Sequence, residues 1–147
     1  MPTFETRLAS VVVKNITGCT ELLEVERLSG GASQETYRLK VVLNGMATPL
    51  AMRRTPGGEY VEALPSHPGL DVEALLMQSA KAVGVPEPEV YHVLTREDDL
   101  GDGFIMEWIE GEALGARITR DPQFASIRPT LAKACGEILA RIHGIDL

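Results

Sequence analysis

Apolar positions along the chain switch between two spacings. Between residues 3 and 14, Phe4, Leu8, Val11 and Val12 recur at helical intervals, and Gly18 supplies a stop soon after. From Leu22 to Leu28 the period shortens, Gly30-Gly31 interrupts it, and Thr36 to Leu43 resumes with polar and apolar residues in alternation. This predicts a strand, a glycine turn and a second strand. Asn44-Gly45 is a hairpin signal because both residues tolerate positive φ, and Pro49 to Arg54 is the strand returning from it.

Thr55-Pro56-Gly57-Gly58 ends that strand, and the prolines and glycines that follow up to Pro68-Gly69 predict a mobile connection. Val72, Leu75, Leu76 and Ala80 then share one helical face from about Asp71 to Val83, with Asp71 able to cap the start and Gly84 to end it. Pro86 and Pro88 force an extended entry into a strand at Val90–Thr95. After a polar turn, Phe104 to Ile109 is nearly continuous apolar sequence, the pattern of a buried strand. Ala113–Ile118 is a weak helical turn, Asp121-Pro122 breaks it, and Leu131, Ala134, Cys135, Ile138, Leu139 and Ile142 mark a long helix from Ile127 to Ile142. Three strands, a helix, two strands and then helix alone make an α+β arrangement with a mainly antiparallel five-stranded sheet.

Length and composition add limits. With 147 residues, 44% of them hydrophobic and 24% charged, the chain suits one folding unit with a sizeable core. No apolar run approaches the roughly 18 residues that span a bilayer, and Glu5 and Arg7 stand where a signal peptide would be apolar, so a cytoplasmic location is expected. Cys19 and Cys135 lie far apart with no zinc-site spacing, which makes both free thiols and leaves no metal site in view. The net charge of -7 is unevenly spread: residues 1–70 carry seven basic and seven acidic residues, and residues 71–147 carry seven and fourteen. Nothing here offers a basic patch to a nucleic-acid backbone. A polyanionic ligand would sit in the neutral first half.

Four segments carry chemistry. Gly30, Gly31, Ala32 and Ser33 are small enough for backbone N–H groups to approach an anion, and the Ser33 hydroxyl can add a hydrogen bond; a plain glycine hairpin is the other reading. Arg53 can hold two phosphate oxygens at once, while its neighbour Arg54 points to the opposite face of the strand; a solvated strand charge is the bland alternative. Glu73 suits either a first-turn acid on a helix dipole or the partner of a cation. Phe104 to Ile109 is an apolar strand running into Glu110-Gly111, and a buried edge strand in which Met106 and Trp108 are only core is the other reading. The histidines His67 and His92 have no obvious acidic partner, which suits surface or packed residues better than a catalytic base.

In this order the elements resemble the small lobe of protein-kinase-like enzymes, and the four segments resemble those of the aminoglycoside phosphotransferase family. The resemblance implies that Gly30, Gly31, Ala32 and Ser33 cover the phosphates of ATP or GTP, and that Arg53, in Leu50-Ala51-Met52-Arg53, pairs with them. It implies that Glu73 orients Arg53. Met106-Glu107-Trp108-Ile109-Glu110-Gly111 would be the hinge, with the Glu107 carbonyl and the Ile109 N–H meeting adenine and Met106 flanking it. Val85-Pro86-Glu87-Pro88 resembles the segment entering the fourth strand, and Leu131 to His143 resembles a large-lobe helix. The implied organisation is a leading helix at 1–20, a nucleotide-binding small lobe at 21–109, and a hinge with the start of a helical large lobe at 110–147.

The family's H-G-D-x-x-x-x-N loop, its source of the transfer carboxylate and of magnesium ligands, is not in this sequence; His143-Gly144-Ile145-Asp146 differs from it by an extra residue. The chain is therefore expected to be a truncated piece of a longer enzyme that phosphorylates a hydroxyl of a small molecule, without turnover of its own and with magnesium bound elsewhere in the parent. A complete, non-catalytic nucleotide-binding or regulatory module is the alternative. In the truncated reading the C-terminal helix has an apolar face that a large lobe would cover, so the chain is expected to pair with a second copy or to be partly disordered near its end.

Overall fold

The Thr3 side chain starts the first helix by accepting a hydrogen bond from the Thr6 N–H at 3.2 Å, and α1 runs over Phe4–Asn15. The computed structural model describes residues 1–30 and 33–146. Strands β1 (Cys19–Arg27), β2 (Glu35–Leu43) and β3 (Met46–Arg54) form a meander, and Asn44 and Gly45 both take positive φ in the turn between β2 and β3. Helix α2 (Leu70–Ala82), β4 (Val90–Val93) and β5 (Gly103–Glu107) follow. The sheet order is β1-β2-β3-β5-β4, and every neighbouring pair is antiparallel.

The two faces of the sheet bury different sets of side chains. On one face, Leu8, Val11 and Val12 of α1 pack with Tyr37, Leu39, Val41, Leu50, Met52 and Ile105. Helix α1 thus shares its core with the sheet. On the other, Leu70 and Ala74 of α2 pack with Val90 and Phe104, with Met106 against them.

Strand β5 stops two residues short of the apolar run that marked it. Glu107 pairs in register with Leu50 of β3, and its N–H turns the other way, to the Glu89 carbonyl at 2.8 Å. Alternation then turns the Trp108 backbone toward β3, where the next residue is Pro49, which has no N–H for the ladder. The chain leaves the sheet there, and Ile109 is 59% exposed rather than buried.

The connection after β3, expected to be mobile, begins as an anchored turn. Gly57 N–H donates to the Glu35 carboxylate at 3.1 Å, Val61 N–H to Asp102 Oδ2 at 2.7 Å, and Thr55 N–H to the Asp102 carbonyl at 2.9 Å. The turn lies so close to the loop before β5 that a Cβ on Gly101 would come within 2.5 Å of Gly58 Cα.

The chain divides into two compact units, Met1–Gln78 with Pro88–Trp108, and Ser79–Glu87 with the residues from Ile109 onward. In the second, the N–H groups of Gly84 and Val85 close the end of α2 on the carbonyls of Lys81 and Ala80. Arg141 donates to the Gly84 carbonyl at 2.8 Å. Helices α3 (Gly115–Arg120) and α4 (Arg128–His143) contain no buried residue, and Leu139 and Ile142 are exposed. No helix among the described residues is long and apolar enough to cross a membrane.

Candidate functional site

Register places the site. Glu35 lies opposite Arg54 and Thr36 opposite Arg53 across β2 and β3, so the adjacent arginines project to opposite faces. Arg53 is on the face that α2 covers. There its Nη1 donates to Glu73 Oε1, in the first turn of α2, and its Nη2 donates to Gln34 Oε1, one residue before β2. Both members of the Arg53–Glu73 pair are 34% exposed in their side chains, so the cluster is open to an approaching anion. An arginine has five N–H donors, and these two bonds leave three.

Gly30 has φ +113°, a conformation that a side-chain-bearing residue rarely adopts, and the Leu28 N–H continues the β1–β2 hairpin toward it by donating to the Thr36 carbonyl at 2.8 Å. Ser33 is exposed. Gly31 and Ala32 lie outside the described residues. Met106 stands opposite Ala51 of β3 and is half-buried. Glu107 ends β5, and its carboxylate accepts from the Glu89 N–H at 3.1 Å, which fixes the strand end. The Arg38 guanidinium sits 5.0 Å from the Trp108 ring. Ile109 begins the second unit and, contrary to the apolar pattern, is not in a strand.

Opposite the Arg53 cluster, a second one forms between the sheet and α1. Arg54 Nε donates to Glu35 Oε2 at 2.8 Å, Arg54 Nη2 to the Tyr37 hydroxyl at 3.1 Å, and Arg54 Nη1 to the Leu100 carbonyl at 3.2 Å. The guanidinium lies 4.3 Å from the Phe4 ring. Glu35 is 7% exposed and also accepts from the Tyr37 hydroxyl at 2.8 Å. Burial pushes its carboxyl up, but the bonds from Gly57, Tyr37 and Arg54 outweigh this and hold it below its ordinary value. Burial and the adjacent carboxylate push the Tyr37 hydroxyl up.

Histidine 92 corrects an expectation. Its Nε2 lies 2.8 Å from Asp98 Oδ2, so it does have an acidic partner. Asp98 also accepts from the Thr95 N–H at 2.8 Å and caps the short turn Arg96–Asp98. Burial raises its carboxyl, and the bonds from Thr95 and His92 more than reverse that. The pair fixes a turn next to β4 and is structural. Thr95-Arg96-Glu97-Asp98 has the form of a capping box, a signal that points to Asp98 from sequence alone. Glu35 and Gln34 were the other omissions. Glu35 shares its alternation phase with the apolar Tyr37, Leu39 and Val41, which marks a carboxylate on a buried face. Nothing in the sequence marks Gln34.

The described residues hold no cluster of three metal-ligating side chains. Cys19 is buried and Cys135 exposed, both as free thiols. Among known proteins, the profile of the phosphotransferase enzyme family matches residues 24–147, which include the second half of β1, β2 to β5, all of the Arg53 cluster and both C-terminal helices. No curated protein matches the chain.

Proposed function

Because the chain belongs to the phosphotransferase enzyme family, we propose that it binds ATP or GTP for phosphoryl transfer to a hydroxyl of a small molecule. The observation that carries the nucleotide part is the Arg53 cluster: a strand arginine held by the first-turn carboxylate of the packed helix, half-open to solvent, one strand away from a glycine turn. A phosphate needs donors fixed in advance, since each donor ordered only on binding costs conformational entropy. Glu73 supplies that fixing. Its charge also keeps the cluster near neutral until the phosphate brings its own.

In this reading Arg53 pairs with the phosphate oxygens, and Ser33 and the backbone of Gly30, Gly31 and Ala32 cover them. The Glu107 carbonyl and the Ile109 N–H take the acceptor and donor on the adenine edge, and Met106 flanks the ring. The nucleotide supplies the phosphoryl group, with magnesium on its phosphates. Support for a hydroxyl acceptor comes from the family likeness alone. Support for the phosphate site comes from the donor set and its openness.

Calorimetric titration with magnesium–ATP tests the reading. Wild-type chain should bind, adenosine should bind more weakly than ATP, and Arg53→Ala should weaken ATP by about a hundredfold, the loss expected for a bidentate charged contact. Equal affinity for ATP in wild type and Arg53→Ala would reject the site.

A further inference from the structure

Pairing a cation with an orienting carboxylate accounts for Arg53 and Glu73 but leaves Gln34 without a role. Its Oε1 accepts from Arg53 Nη2, the terminal nitrogen that Glu73 does not use. An arginine side chain only donates, so the Gln34 amide has a forced orientation: the oxygen faces the guanidinium, and both N–H groups face away from it. That amide nitrogen makes no hydrogen bond among the described residues. Next to it in the chain is the exposed Ser33. The amide is also neutral. A carboxylate at this position would add a second negative charge to the Arg53–Glu73 pair and repel an incoming phosphate.

We propose that Gln34 is a bifunctional residue of the phosphate site: its carbonyl sets the plane of the Arg53 guanidinium, and its NH2 donates to a phosphate oxygen of the nucleotide held on that arginine. The proposal rests on the nucleotide reading above and deepens it. Gln34 is thus both a positioning residue for Arg53 and a direct contact to the phosphate.

Two substitutions separate these functions. Gln34→Leu removes the acceptor and the donors together, and magnesium–ATP should bind about tenfold more weakly. Gln34→Glu keeps an acceptor for Arg53 but replaces the donors by a charge, and ATP should bind about a hundredfold more weakly. Adenosine, which has no phosphate, should bind both variants as it binds wild type. In wild type, the Gln34 side-chain amide resonances should move on addition of ATP and stay in place on addition of adenosine. Wild type that fails to bind ATP would overturn the nucleotide reading, and this proposal with it. If Arg53→Ala weakens ATP while both Gln34 variants match wild type, the nucleotide reading stands and the proposal falls. A Gln34→Glu variant that binds ATP as well as wild type, or resonances that ATP leaves unmoved, overturns it too.

Discussion

Arg53 and Arg54 are neighbours on one strand and do opposite work. Arg54 is a closed site: its side chain is 11% exposed, and its guanidinium is bonded to Glu35, Tyr37 and the Leu100 carbonyl and lies near the Phe4 ring. Arg53 is an open one, its side chain 34% exposed, with two bonds among the described residues and three N–H groups beyond those two. What separates them is one step of strand alternation. A buried ion pair enclosed by its own partners leaves a ligand no approach, and it resists removal of either partner. An exposed pair contributes little to stability and keeps its donors for something else. The closed cluster holds α1, the 55–61 turn and the β2–β3 register together, and so fixes the strand on which the open cluster stands.

The largest expected effect tests the closed member. Glu35→Leu leaves Arg54 buried without its counter-ion and should cost about 3–5 kcal/mol in chemical denaturation, with ATP affinity of the folded fraction within about twofold of wild type. Arg53→Ala should invert this, losing about 2.7 kcal/mol of ATP affinity, as above, while unfolding within about 1 kcal/mol of wild type. Comparable stability losses in the two variants would erase the distinction between the clusters. Glu73→Gln, which keeps the shape of the orienting group but not its charge, should weaken ATP about tenfold with little change in melting temperature.

Acid gives the smallest effect and a specific direction. The carboxyls of Glu35 and Asp98 are both held below their ordinary values in the folded chain. Their contribution is complete above the unfolded values, about pH 4, and is lost as pH falls through the lower folded ones. Unfolding free energy measured from pH 6 to pH 2 should therefore fall only below about pH 4, and Glu35→Gln should reduce the slope there. A slope unchanged by that substitution would mean that the closed cluster does not stabilise through its charge.

Much of this was legible in the sequence because it is local. The periodicities of α1 and β2, the existence of α2 and α4 and the Asn44-Gly45 turn depend on residues a few positions apart. The alternation that sent Arg54 away from Arg53 is of the same kind. The α2 face expected from Val72, Leu75 and Leu76, however, is not the buried one: Leu75 and Leu76 are exposed, and Leu70 and Ala74 enter the core. Contacts made across the sheet were less legible. That Glu35 would meet Arg54, Tyr37 and the Gly57 N–H depends on the β2–β3 register and on a turn whose prolines and glycines suggested mobility. Ile109 lies outside the strand although the apolar run reaches it, because the partner strand decides how far a ladder extends. Gln34 was missed for a different reason. An amide is common at the start of a strand, and its bond to Arg53 depends on the β2–β3 register.

Pro49 carries a consequence of another sort. The first residues of β3, Met46 to Pro49, extend past the last residue that pairs with β5, so this half of the strand has an edge on that side. Such an edge can template a further strand from another molecule, the first step of domain swapping and of fibril growth. The residue nearest the end of the ladder has no N–H to offer, so an incoming strand loses its first bond where docking would begin. The proline that ends the sheet also makes it a poor seed for aggregation.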